Sequence, residues 1–211
     1  MIATPGFVRL TATLAMALVA ATALTACSDS TDSAGARREV VPAATLSASF
    51  LPRAAAGPQP VAVTYNTTAV PVLARVVAKA RRVDGGTEIT LSLNRLLPNH
   101  DYSAHVHTKP CGVDPMATGP HYQNVRAPQT PTVDPRYANP GNEIWLDFTS
   151  DPGGDAQATT TVTWAFRPKE AHSLVLHPQR TATHAGHAGT SGERVACVGT
   201  KDLEAAWVKR R

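Results

Sequence analysis

A chain of 211 residues has room for one domain with appendages. It is 43% hydrophobic but only 5% aromatic, so its core must rest mainly on Val, Leu, Ile and Ala. The formal net charge of +4 is mild, and with no long Lys/Arg run and no interleaved aromatics it argues against a nucleic-acid partner.

In chain order, the first 26 residues read as an export segment rather than as part of the fold. Arg9 gives a thin positive start, and residues 10–24 are uncharged and rich in Ala, Leu, Val and Thr. That stretch is short for a membrane span and suits a signal peptide. It ends in Leu24-Thr25-Ala26-Cys27, which resembles the bacterial lipoprotein box. The resemblance implies cleavage before Cys27 and diacylation of its thiol. This would leave the protein on the extracytoplasmic face of a membrane, held by its lipid chains. Residues 27–60 are rich in Ser, Ala, Thr, Asp and Pro with no period, and are expected to be a flexible tether.

From residue 61 the pattern becomes one of short alternating runs bounded by turn residues. Residues 72–80 are β-branched and apolar, and Asp84-Gly85-Gly86 signals a hairpin turn. Residues 88–93, 102–107, 142–148, 158–164, 173–177 and 194–199 continue the series. The expected fold is an all-β, Greek-key, immunoglobulin-like sandwich or barrel of about eight antiparallel strands with long functional loops. The domain is expected to span 61–200, with 201–211 as a basic C-terminal tail. The stretch 108–141 breaks the rhythm: it is long, proline-rich and patternless, as functional loops often are.

His105-Val106-His107 stands at the head of that loop. On a strand, residues two apart share a face, so both imidazoles project one way and Val106 projects the other. Alone, such a pair is as compatible with exposed or hydrogen-bonded histidines as with a metal site. Further along stand Cys111, then Gly119-Pro120-His121, then His177 at the end of an apolar run, then Arg194-Val195-Ala196-Cys197.

Taken in order over residues 61–200, these motifs resemble the copper/zinc superoxide dismutase family. The resemblance implies that His105, His107, His121 and His177 are copper ligands. In it His121 takes the place of the histidine that bridges copper and zinc. It implies a disulfide between Cys111 and Cys197, and an Arg194 that guides the superoxide anion to the metal. Four neutral imidazoles suit Cu(II), which favours tetragonal nitrogen sites. On this reading His121 and Arg194 are the catalytic pair.

One half of the family pattern is missing. No histidine lies between His121 and His172, and Asn139-Pro140-Gly141-Asn142-Glu143 stands where a His-x-Gly-Asp motif is expected. Neutral amides are poor zinc ligands, so no zinc of the usual kind is expected on this reading, which resembles the copper-only branch. His121 then needs another partner for its second ring nitrogen. Asp134, Glu143 and Asp147 are the candidates, with Glu143 first; all three read equally well as surface carboxylates. His184 and His187, in a Gly/Ala/Thr loop, read either as solvated or as metal-binding.

The expected function is copper-dependent dismutation of superoxide to dioxygen and hydrogen peroxide at the cell envelope. The alternative is a non-enzymatic copper-binding or copper-delivering lipoprotein on the same fold. A module stapled by one disulfide, with no metal, is a third reading. Oligomeric state is not legible in the sequence.

Overall fold

The computed structural model describes residues 43–208; the expected signal segment and Cys27 lie outside them. Ten strands form: β1 (Ala43–Ser49), β2 (Leu51–Pro52), β3 (Ala62–Thr64), β4 (Arg75–Val83), β5 (Gly86–Asn94), β6 (Asp101–His107), β7 (Trp145–Thr149), β8 (Ala156–Val162), β9 (Ser173–His177) and β10 (Ala196–Gly199). A one-turn helix, α1 (Glu204–Trp207), follows. The strands make two sheets, ordered β1-β4-β5-β8 and β2-β3-β10-β9-β6-β7. All pairings are antiparallel except the short β2–β3 contact. The chain crosses between the sheets and returns, so β6 and β9 are hydrogen-bonded neighbours although β7 and β8 separate them in sequence. This is the expected all-β Greek-key sandwich.

Period-two alternation builds the core. Val76, Ala78 and Ala80 of β4 and Ile89, Leu91 and Leu93 of β5 face inward from the first sheet. Tyr102, Ala104 and Val106 of β6, Leu146 and Phe148 of β7, and Leu174 and Leu176 of β9 face them from the second. The β4–β5 hairpin turns at Asp84-Gly85, with Val83 opposite Gly86. A side chain at Gly86 would collide with the Val162 carbonyl of β8, so only glycine fits that close approach.

Two boundaries differ from expectation. Residues 43–60, expected to belong to a tether, are instead part of the sandwich from Ala43 onward. β1 pairs with β4 over its whole length, from Ala43 opposite Arg81 to Ser49 opposite Arg75. Leu46 and Phe50 are buried in the core. An Ala/Ser-rich run carries little strand signal, and cross-strand pairing decides it. Residues 201–208, expected to be tail, close the core. Trp207 and Leu203 are fully buried, and the Trp207 ring lies 4.6 Å from that of Phe166. The Phe166 amide donates to the Trp207 carbonyl, and Arg82 donates to that of Val208.

Candidate metal centre

β6 lies between β9 and β7 and is buried on both faces. Its inward face enters the core, and its outward face carries Ser103, His105 and His107 under the loops. His177 of β9 is opposite Ser103, and His105 is opposite Val175. His105 and His177 are therefore diagonal neighbours on one face, within reach of their rings. The patternless loop after β6 folds back on it. The Thr108 amide donates to Pro120, and the Tyr122 amide donates to Val106 at 2.7 Å. His121 thereby sits opposite His107 in an isolated antiparallel bridge.

The four rings converge. Ring centroids are 4.1 Å apart for His105–His121, 4.8 Å for His107–His121 and 5.1 Å for His105–His177. One nitrogen from each ring lies within 4.8 Å of all the others. Two nitrogens bound to one ion at about 2.0–2.1 Å stand at most about 4.2 Å apart, so sub-ångström shifts close the cluster on a single atom.

Each ring's other nitrogen is held. His107 Nδ1 donates to the Gly119 carbonyl at 2.9 Å, and His177 Nδ1 to the Gly192 carbonyl at 3.3 Å. His121 Nδ1 donates to Glu143 Oε2 at 2.9 Å. His105 Nε2 meets Thr181 Oγ1 at 2.9 Å, and that hydroxyl gives its one proton to Asp147 Oδ1. The hydroxyl must therefore accept from His105 Nε2–H. In every ring the inward nitrogen carries a free lone pair. Three of these, His105 Nδ1, His107 Nε2 and His177 Nε2, are buried with no hydrogen-bond partner. Buried polar atoms rarely go unpartnered without a reason, and three aimed at one point fit a bound cation. The donor set, four imidazoles with no thiolate and no carboxylate among them, suits copper and also accepts zinc.

Burial pushes His105 and His107 well below the ordinary imidazole pKa, with the neighbouring His121 and His177 adding to the effect. His177 is pushed down to about 3, again chiefly by burial and then by His121. At neutral pH these three rings are neutral and their lone pairs are available.

The three acidic candidates have separate roles. Glu143, 2% exposed at its side chain, holds His121. It also accepts from Trp145 Nε1 at Oε2 and from Gln123 Nε2 at Oε1, both at 2.8 Å. Asp147 supports His105 through Thr181, and Asp134 pairs with Arg136. Asn139 and Asn142 spend their amides on loop backbone. Asn139 Nδ2 donates to the Pro135 and Arg136 carbonyls, and Asn142 Nδ2 to those of Val125 and Tyr137.

Arg194 is half-buried beside the cluster. Its Nη1 donates to the Pro115 carbonyl and Thr118 Oγ1, and its Nη2 to the Gly119 carbonyl, at 2.8–3.0 Å. Burial lowers its pKa, yet a guanidinium stays cationic at any physiological pH. Gly119 thus orients both His107 and Arg194. Its loop is tied to β10 by the Cys111–Cys197 disulfide, with Cα atoms 5.8 Å apart. A cavity of about 540 Å³ opens over the cluster, lined by Arg53, Tyr65, Met116, His121, His177 and Arg194 among others.

Thr181, Gly192 and Arg167 carry no signal in the sequence pattern. Arg167 pins the loop beyond His121, stacking on Tyr122 at 4.6 Å and donating to the carbonyls of Gln123 and Asn124. His184 and His187 lie apart from the cluster on an exposed turn.

No protein-family model matches this chain, and no curated protein matches it. Solved structures that match this chain include a Cu/Zn superoxide dismutase from Brucella abortus, with a TM-score of 0.49 and 14% identity over 74% of this chain and 97% of that one. A double mutant of an SOD-like protein from Bacillus subtilis matches with a TM-score of 0.46 and 17% identity over 58% of this chain and 86% of that one. A single mutant of such a protein from the same organism gives 0.46 and 14%, over 80% and 97%. At such identities only the site's own geometry bears on its chemistry.

Proposed function

We propose that this protein is a copper-dependent superoxide dismutase held at the bacterial envelope by a lipid on Cys27. The observation that carries the enzymatic half is the set of buried, unpartnered ring nitrogens of His105, His107 and His177, converging with His121 beneath a cavity that holds Arg194. Copper bound there would supply one-electron exchange, taking an electron from one superoxide and returning it to the next.

The chain's own residues do the rest. Second-partner hydrogen bonds fix each ring with its lone pair inward, so no rotamer search precedes metal binding. Arg194, its guanidinium clamped by three acceptors, presents a fixed positive charge at the cavity floor and raises the anion's encounter rate. His121 is the ligand with the most exposure, 19% at its side chain. Its Nε2 holds either the metal or a proton, not both, so it could pass a proton to the reduced oxygen anion only when released from the ion, with Glu143 holding Nδ1. The Glu143 carboxylate occupies the Nδ1 side of His121, and this supports a copper site that works without zinc.

The test uses copper-loaded protein in a superoxide-removal assay, with wild type beside Arg194→Ala. The account expects turnover in wild type. It expects Arg194→Ala to keep its copper, lose about tenfold in kcat/KM and become less sensitive to salt. Copper bound without turnover would move the assignment to a copper-holding or copper-delivering protein. Mass spectrometry of the exported protein tests the anchor: a diacylated N-terminal Cys27 is expected, and an unmodified or longer N-terminus would remove it.

A further inference from the structure

Three of the four clustered histidines are 0–5% exposed, so a metal ion reaches them past His121. Residues 188–194 line the cavity over the cluster, and the pair His184 and His187 stands on the exposed turn just before them. Both are exposed, their ring centroids are 4.9 Å apart, and the rings are tilted by 41°. The turn that presents them is ordered by its own backbone. The His187 amide donates to the His184 carbonyl, and the Ala182 and Gly189 amides close the base of the loop on the Thr190 and Ala182 carbonyls. Thr190 returns its amide and hydroxyl to the His187 carbonyl. Among the described residues no carboxylate forms an ion pair with either ring.

Two imidazoles presented side by side, with no hydrogen bond to either ring among the described residues, form a chelating pair for a late first-row transition cation, copper above its neighbours. Their position gives the pair a use. Two residues beyond His187, a methyl group added at Gly189 would stand 3.7 Å from Glu143 Oε2 and 3.9 Å from His121 Nδ1. Two residues of chain span at most about 7 Å. The pair therefore stands on the chain next to the residue that packs against the Glu143-held edge of the His121 ring.

We infer that His184 and His187 form a surface capture site for copper ions that feeds the four-histidine centre through His121. The capture site stands on the pair alone, and the feeding role rests on the copper centre proposed above. An ion tethered this close to a second site sees an effective concentration in the millimolar range, well above a micromolar supply in solution. The pair is too exposed and too short of ligands to retain the ion against four converging imidazoles, as a transfer site requires.

The experiment titrates the full metal-free chain with Zn(II) ions and follows the ring resonances of its eight histidines by NMR. It then compares Cu(II) loading of wild type with a His184→Ala, His187→Ala double variant by visible absorption. The His184 and His187 resonances should move together with a dissociation constant below about 1 mM. The double variant should load micromolar Cu(II) at least about tenfold more slowly yet reach the same final spectrum. Independent or absent shifts of the two rings would overturn the capture site. Equal loading rates would overturn the feeding role. If the surface pair responds while His105, His107, His121 and His177 do not bind any metal, the capture site stands and the copper centre fails.

Discussion

Replacing Glu143 by Gln probes how the centre is held together, because it changes one oxygen to an amide nitrogen without changing size. Glu143 is buried and accepts three donors: His121 Nδ1 and Trp145 Nε1 at Oε2, and Gln123 Nε2 at Oε1. An amide has only one oxygen. Turned toward His121 and Trp145, it sets its own NH2 against that of Gln123. Gln123 cannot simply flip, because its oxygen accepts from the Ala127 amide at 3.0 Å. One charge-assisted hydrogen bond is lost and one buried donor is left unmatched, each costing about 1–3 kcal/mol. Glu143→Gln should therefore lower stability by about 2–4 kcal/mol, read as a shift in the urea midpoint of metal-free protein. Copper affinity should fall about 10–100-fold, as for other losses of a ligand's supporting partner. Trp145 fluorescence should change as well, since its indole N–H loses a carboxylate acceptor. A variant with wild-type stability and wild-type copper affinity would refute the reasoning, because it would mean that the carboxylate does not orient His121.

Three further outcomes follow from single features of the structure. Gly119→Ala should cost about 1–3 kcal/mol, because Gly119 has φ +71° and ψ −163°, a region almost closed to side chains, and a Cβ there would meet Thr108 Oγ1 at 2.9 Å; denaturant unfolding and copper titration should both show the loss, as its carbonyl holds His107 and Arg194. Trp207→Ala should cost about 3–5 kcal/mol in thermal or urea unfolding, as expected for a large side chain removed from the core; a change below about 0.5 kcal/mol would return residues 201–208 to an unpacked tail. Reducing the Cys111–Cys197 bond, which closes a sequence separation of 86 residues, should lower stability by about 4–5 kcal/mol. Matched melts with and without reductant measure it.

How far the sequence could be read depended on whether a residue's role follows from its own type and spacing. His105-Val106-His107 on a strand is legible, because period two alone sends both rings to one face and Val106 to the core. His121, His177 and Arg194 have no such local signal; family resemblance marked them, and the fold-back of the loop after β6 brings His121 to His107. The carbonyls of Gly119 and Gly192 were invisible, since any residue has a carbonyl and only backbone placement aims it. Thr181 was missed for a related reason: its partner Asp147 reads as a surface acid until Thr181 is placed between it and His105. The strand β1 was hidden by its Ala/Ser composition, and α1 by its length, since one helical turn shows no period. Asn139 and Asn142 stand out in the sequence as neutral amides, but their service to the loop backbone does not.

The central claim is that one ion sits among four imidazoles, and pulsed electron paramagnetic resonance of protein loaded with one equivalent of Cu(II) tests it most directly. The account predicts a tetragonal Cu(II) signal with at least three directly bound imidazole nitrogens, and loss of that signal's character in His107→Ala. A spectrum with fewer bound imidazoles, or one unchanged by His107→Ala, would contradict it.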